Sequence, residues 1–128
     1  MFFKRRRYKK QVRDKFESLY HEVLGEEYKK YLNFATDINK NLDKDDYFID
    51  KYYNDGLDFE EAAIAHVISS IMRMEEIISI SNPDSRAYKL TRENIIKSEM
   101  VLNLSTISKP IRISLMNKKF VNEARKSN

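Results

Sequence analysis

The sequence predicts an all-α fold, and three observations carry that expectation. Apolar residues recur at spacings of three and four along most of the chain, the period of a helix with one covered face. Only two glycines and two prolines occur in 128 residues, too few for the turn density of a β-sandwich or barrel. Apolar residues at 41% and charged residues at 34% describe a folded, charge-rich globule rather than a disordered chain. The length fits a single helical domain, 1–128, arranged as a compact bundle of about five helices around a central buried one at 58–81.

The elements follow in order. Tyr8, Val12, Phe16, Leu19, Tyr20 and Val23 form one helical stripe, which Gly25 stops or kinks. Tyr28, Tyr31, Leu32, Ala35 and Ile38 form a second, and the short connection makes the two an antiparallel pair. A shorter helix holds Tyr47, Phe48, Tyr52 and Tyr53 and closes at the turn Asn54-Asp55-Gly56. Asp58 and Glu61 stand at the two positions of a capping box. From Phe59 to Ile80 apolar residues then occupy most of the circumference, as in a helix covered on several sides. Asn82-Pro83-Asp84 ends it.

Thr91 is the expected cap of a fifth helix running through Ile95, Ile96, Met100, Val101 and Leu104. Ser108-Lys109-Pro110 reads as a break and restart, with a final helix reaching Val121 or Ala124. Ile111, Ile113 and Leu115 alternate strictly, so a short strand within 108–121 stands as the alternative.

Several function classes fall away. The chain has no cysteine, which removes disulfide frameworks, thiolate zinc clusters and thiol catalysis. With only Gly25 and Gly56 present, a glycine-built phosphate cradle cannot form, and no nucleophile elbow or metalloprotease motif occurs. No apolar run approaches a membrane span, and charges recur through Lys15 where a secretory signal needs an unbroken apolar core. The expected location is the cytoplasm.

Charge is strongly segregated along the chain. Residues 1–15 carry eight bases and one acid, whereas residues 16–62 carry five bases and thirteen acids. Residues 108–128 carry six bases and one acid. The opening stretch therefore defines the first candidate site: Lys4, Arg5, Arg6, Arg7, Lys9, Lys10 and Arg13 as phosphate contacts, with Phe3 and Tyr8 as stacking groups. Arg5 and Lys9 fall on or near the stripe of Tyr8 and Val12, so the first turns are basic on all sides. That pattern favours residues 1–10 as a basic arm projecting from the bundle, with nucleic acid as its anionic partner. The plainer reading of such a run is a solvated helix end.

Two alternatives stand beside it. The acidic, tyrosine-rich 43–61 stretch, through Asp45, Asp46, Asp50, Tyr52 and Tyr53, suits a protein–protein adaptor or inhibitor facing a basic protein partner. Phe2, Phe3 and the basic arm suit peripheral attachment to an anionic membrane surface. Tyr28-Lys29-Lys30-Tyr31 is a further aromatic–basic cluster, but its tyrosines sit at core spacing.

The acids around Gly56 fail as a calcium loop, because Lys51 would take the first position and Ala62 the twelfth. His66, Ser70 and Arg73, with Ser69 beside them, line one narrow side of the central helix. Together they suit an anionic ligand or acid–base chemistry; the plainer reading is an exposed edge or a hydrogen-bonded histidine. A di-iron site needs two Glu-x-x-His motifs, and none is present. The expected role is thus non-catalytic, with no cofactor and no metal, and the oligomeric state is open, a homodimer included.

Overall fold

Asp58 starts the central helix. A computed structural model of the chain describes the backbone of residues 2–41 and 45–126, and side chains over 3–40 and 47–118. In it the Asp58 carboxylate accepts the Glu61 amide at 2.8 Å, and Glu61 Oε1 accepts the Asp58 amide at 3.1 Å. The reciprocal pair satisfies two donors that a helix start leaves open, worth about 1 kcal/mol.

The described residues form six α-helices: α1 (Phe2–Leu24), α2 (Tyr28–Asn41), α3 (Asp45–Asn54), α4 (Phe59–Ser79), α5 (Arg86–Leu104) and α6 (Ser108–Lys126). The all-α bundle is as the periodicity requires. A 3₁₀ turn, Gly25–Glu27, joins α1 to α2. Gly25 at φ +64° and Gly56 at φ +79° take the left-handed backbone that other residues disfavour. A Cβ at either would meet nothing within 4 Å, so backbone conformation alone selects glycine there.

α4 touches all five other helices, which makes it the centre of the bundle. Ala63, Ile64, Val67 and Met74 are fully buried in the main core, against Phe16, Leu19 and Tyr20 of α1, Tyr31, Leu32 and Ala35 of α2, and Ile95 and Val101 of α5. A second cluster joins Tyr8 and Val12 of α1 to Ile49 and Tyr52 of α3 and Ala62 of α4. Cover on α4 is nevertheless incomplete, since Met72 is exposed.

Polar bonds between helices, one buried and one at the edge of the core, set their mutual placement. Tyr20 Oη meets Ser98 Oγ at 2.6 Å between α1 and α5, and burial holds this phenol above its usual range. Tyr31 donates to Glu93 at 2.7 Å between α2 and α5.

Two boundaries differ from expectation. Ser85, whose Oγ accepts the Tyr88 amide at 3.1 Å, caps α5; Thr91 is buried inside it. The helix starts before its apolar stripe because Arg86, Ala87 and Lys89 face solvent. Residues 108–126 are helix, not strand, and Pro110 sits in the first turn, where its missing N–H costs nothing.

Glu61 does more than cap. It is buried, its Oε2 accepts from Ser114 at 2.8 Å and its Oε1 from Lys118 at 2.7 Å, so it fastens α6 to the start of α4. Burial pushes its carboxyl up, but Lys118, Ser114 and the Asp58 amide together outweigh that and hold it below the usual range. A depressed folded-state pKa adds stability above the ordinary carboxylate range that is lost as pH falls through and below it. In urea unfolding the wild type should therefore lose stability on acidification more steeply than Glu61→Gln. At neutral pH the substitution should cost about 1–3 kcal/mol.

Candidate functional site

The basic opening does not project as an arm. Residues 3–10 are the first turns of α1, and Tyr8 is 8% exposed. Its ring meets Tyr53 edge-on at 5.0 Å, so Tyr8 is a packing residue of the α1–α3 contact rather than a stacking platform. Burial first, then the Asp58 carboxylate, raises its phenol above the usual range. Arg5 and Lys9 share its inward side. Lys9 Nζ lies 3.2 Å from Asp50, and Arg5 Nε lies 3.9 Å from the same carboxylate. Arg5 also donates to Asn54 at 3.3 Å and stands 5.3 Å above the Tyr53 ring. Lys15 reaches Glu60 at 3.7 Å on α4.

At 100° per residue Arg6, Arg7, Lys10 and Arg13 take the other side of the helix, while Lys4 stands 40° from Tyr8 at the margin of the covered side. Phe3, Arg6, Lys10 and Arg13 follow one another at spacings of three and four, Arg7 lies beside Arg6, and all five, like Lys4, are exposed. Phe3 is 78% exposed, in the middle of this outward face. Two acids border it, the exposed Asp14 and Glu17; Asp14 accepts from Lys10 at 2.7 Å, which raises the Lys10 ammonium through that hydrogen bond and then through charge. α1 is thus divided lengthwise. Arg5, Tyr8 and Lys9 hold the helix to α3, five others of the expected site, Phe3, Arg6, Arg7, Lys10 and Arg13, share the outward surface, and Lys4 is exposed at its margin.

The acidic face is largely spent on the same contact. Asp50 serves Arg5 and Lys9. Tyr52 is 7% exposed and meets Ser69 at 2.9 Å, and Tyr53 is half-buried against Tyr8. The side chains of Asp45 and Asp46 lie outside the described residues. Of the basic end, Lys118 is committed to Glu61 and Arg112 donates to Asn103 at 3.0 Å.

The His66 side of α4 is interior, not an exposed edge: His66, Ser70 and Arg73 are all buried. Asn39 of α2, absent from the sequence expectation, organises them. Arg73 Nη1 donates to Asn39 Oδ1 at 3.2 Å. Because a guanidinium can only donate, that bond fixes which way the amide points. Asn39 Nδ2 then donates to Ser70 Oγ at 3.0 Å and to His66 Nε2 at 3.1 Å. Nε2 must be the acceptor, so the neutral ring carries its proton on Nδ1. Ser70 Oγ donates in turn to the His66 carbonyl at 2.9 Å. The Arg73 guanidinium lies 4.0 Å from the centre of the Phe48 ring, a cation–π contact to α3. The sequence signal for Asn39 was its place on the second stripe, seven residues after Leu32 and four after Ala35.

His66 also borders a cavity of about 170 Å³ between α1, α2 and α4. Among the described residues no three His, Asp or Glu side chains gather in a way that would hold a metal ion. No helix described is long and apolar enough to cross a membrane. Comparison of the chain with known protein families, with curated proteins and with solved structures finds no match.

Substitutions at Tyr8, Asn39 and Arg73 test this geometry. The buried Tyr8 hydroxyl has no hydrogen-bond partner among the described residues, so Tyr8→Phe should raise unfolding stability by about 1 kcal/mol, with Tyr8→Ala lowering it by roughly 3–5. Asn39→Leu leaves the Arg73 guanidinium and Ser70 without their amide and should cost about 3 kcal/mol or more. Adding Arg73→Met should recover part of that loss, because removing both polar partners is cheaper than removing one. Denaturant titrations of the three proteins give the comparison.

Proposed function

We propose that the protein is a non-catalytic nucleic-acid-binding module that grips the phosphate backbone with the outward face of α1. The observation that carries this reading is the exposure of Arg6, Arg7, Lys10 and Arg13 along one side of a helix whose other side is anchored, with Lys4 exposed at its margin. A rigid cationic row spends less conformational entropy on binding than a free arm does. Phe3, on the same face, supplies a ring on which an exposed base can stack. Backbone contacts of this kind carry no base preference, so the reading is of general affinity for strands or duplexes.

Phe3 also favours a second reading, attachment to an anionic membrane surface, because an exposed ring amid bases suits the headgroup boundary. The acidic-face adaptor is the weaker proposal, since Asp50, Tyr52 and Tyr53 are engaged within the chain.

Fluorescence anisotropy with a labelled oligonucleotide over a salt series decides between them. Three to four phosphate contacts should give a slope of log K against log salt of about −3 to −4, and Arg6→Ala with Arg7→Ala should reduce it by about 2. Lys9→Ala, on the inward side, should leave the slope unchanged. A salt-independent signal, or none at low salt, removes the reading; pelleting with phosphatidylserine vesicles in that case selects the membrane surface.

A further inference from the structure

We infer that the outward face of α5 is a contact between two copies of this chain, packed antiparallel about a two-fold axis at Ile96. The starting point is apolar surface left in water. Leu90, Ile96 and Leu104 are all exposed on α5, and Met100 is half-buried between the last two. Thr91, Ile95, Ser98 and Val101, on the inward side of the same helix, are buried, so the outer row is separate from the core. At 100° per residue Ile96 lies in the middle of the outward face. Leu90, Glu93, Lys97 and Leu104 stand on one flank, about 60–120° from it, with Arg92 and Glu99 on the other, about 40–60° away.

A two-fold axis across the helix sets each flank against the same flank of the second copy, running the other way. With the axis at Ile96, that side chain meets its own counterpart. Leu90 then comes within two residues of the level of Leu104 of the second copy, Arg92 within one of Glu99, and Glu93 within two of Lys97. At a rise of 1.5 Å per residue these offsets are about 1.5–3 Å, inside the reach of the side chains. Each pairing occurs twice, so one helix face supplies both halves of an apolar centre rimmed by opposite charges.

The charges are available for it. Arg92 and Glu99 are exposed, and neither meets an opposite charge among the described residues. Glu93 holds Tyr31 at 2.7 Å and Lys30 at 3.8 Å through Oε1 alone, which leaves Oε2 for Lys97 of the second copy. Other arrangements match less. With the axis one turn on, at Met100, Arg92 stands level with Ser108 and Glu99 with Val101. One turn back, Arg92 faces its own counterpart. A parallel pairing sets Leu104 beside Asn103 and leaves Leu90 without an apolar counterpart.

The test is sedimentation velocity of the full chain over a concentration series reaching millimolar, with circular dichroism melts to check that each variant folds. The wild type should pass from monomer to dimer in the micromolar range, as a contact of one helix per copy allows, and stop there because the symmetry closes. Ile96→Arg should weaken the dimer at least about tenfold. Arg92→Glu and Glu99→Arg, each alone at an exposed position, put like charges opposite one another and should each weaken it by about tenfold. Together they restore opposite charges and should bring the Kd back to within about threefold of the wild type. The inference is overturned if the chain stays monomeric throughout or assembles past two copies. It is equally overturned if Ile96→Arg or either single reversal dimerises unchanged, or if the doubly reversed chain is no tighter than the single ones. None of these residues lies on α1 and no nucleic acid enters the experiment, so its failure leaves the reading of the α1 face standing.

Discussion

The structure depends on one constraint: the helix at its centre carries a polar row into the interior, and that row has to be satisfied there. His66, Ser70 and Arg73 occupy successive turns of α4 on a side buried by neighbouring helices. An unpaired guanidinium in such a place would cost several kcal/mol. Asn39 meets all three at once, as acceptor for Arg73 and donor to Ser70 and His66. α2 is therefore fixed in register by hydrogen bonds as well as by its apolar stripe. The neighbouring Phe48 and Tyr52, reached by Arg73 and Ser69, bring α3 into the same arrangement. Apolar packing alone tolerates sliding; a set of matched donors and acceptors does not.

The same economy governs charge. A strongly basic stretch precedes a strongly acidic one in the sequence, and folding lays part of one on part of the other. Asp50 sits between Arg5 and Lys9 while Tyr8 packs beneath them. Exposed ion pairs of this sort contribute little to stability. Their effect is orientation: they decide which side of α1 turns inward and leave the complementary side to solvent. The accessible basic surface is thus smaller than the sequence count implies, and more ordered.

Much of this was legible in the sequence. The spacing of Tyr8, Val12, Phe16, Leu19 and Tyr20 marked the buried side of α1, and all five are buried. Asp58 and Glu61 announced their box because capping is a local interaction between residues three apart. What stayed hidden depended on distance along the chain. A helical projection placed Arg5 and Lys9 on the covered side, yet nothing local showed that Asp50 and Tyr53, more than forty residues on, would cover them. Asn39 was visible as a polar residue on an apolar stripe, but its partners lie 27 to 34 residues away. Strict alternation at Ile111, Ile113 and Leu115 suggested a strand; helix formed because the half-buried Ile111, Ser114, Leu115 and Lys118 also recur at three and four, facing α4.

Glu61 joins residues 57 positions apart when it meets Lys118. Closing so long a loop is entropically unfavourable and is repaid only once α4 has begun and its capping carboxylate is in place. The last helix is therefore held by the first turn of the central one, and each secures the other. The Glu61 carboxylate at the start of the central helix is thus also the clasp for the helix that closes the bundle.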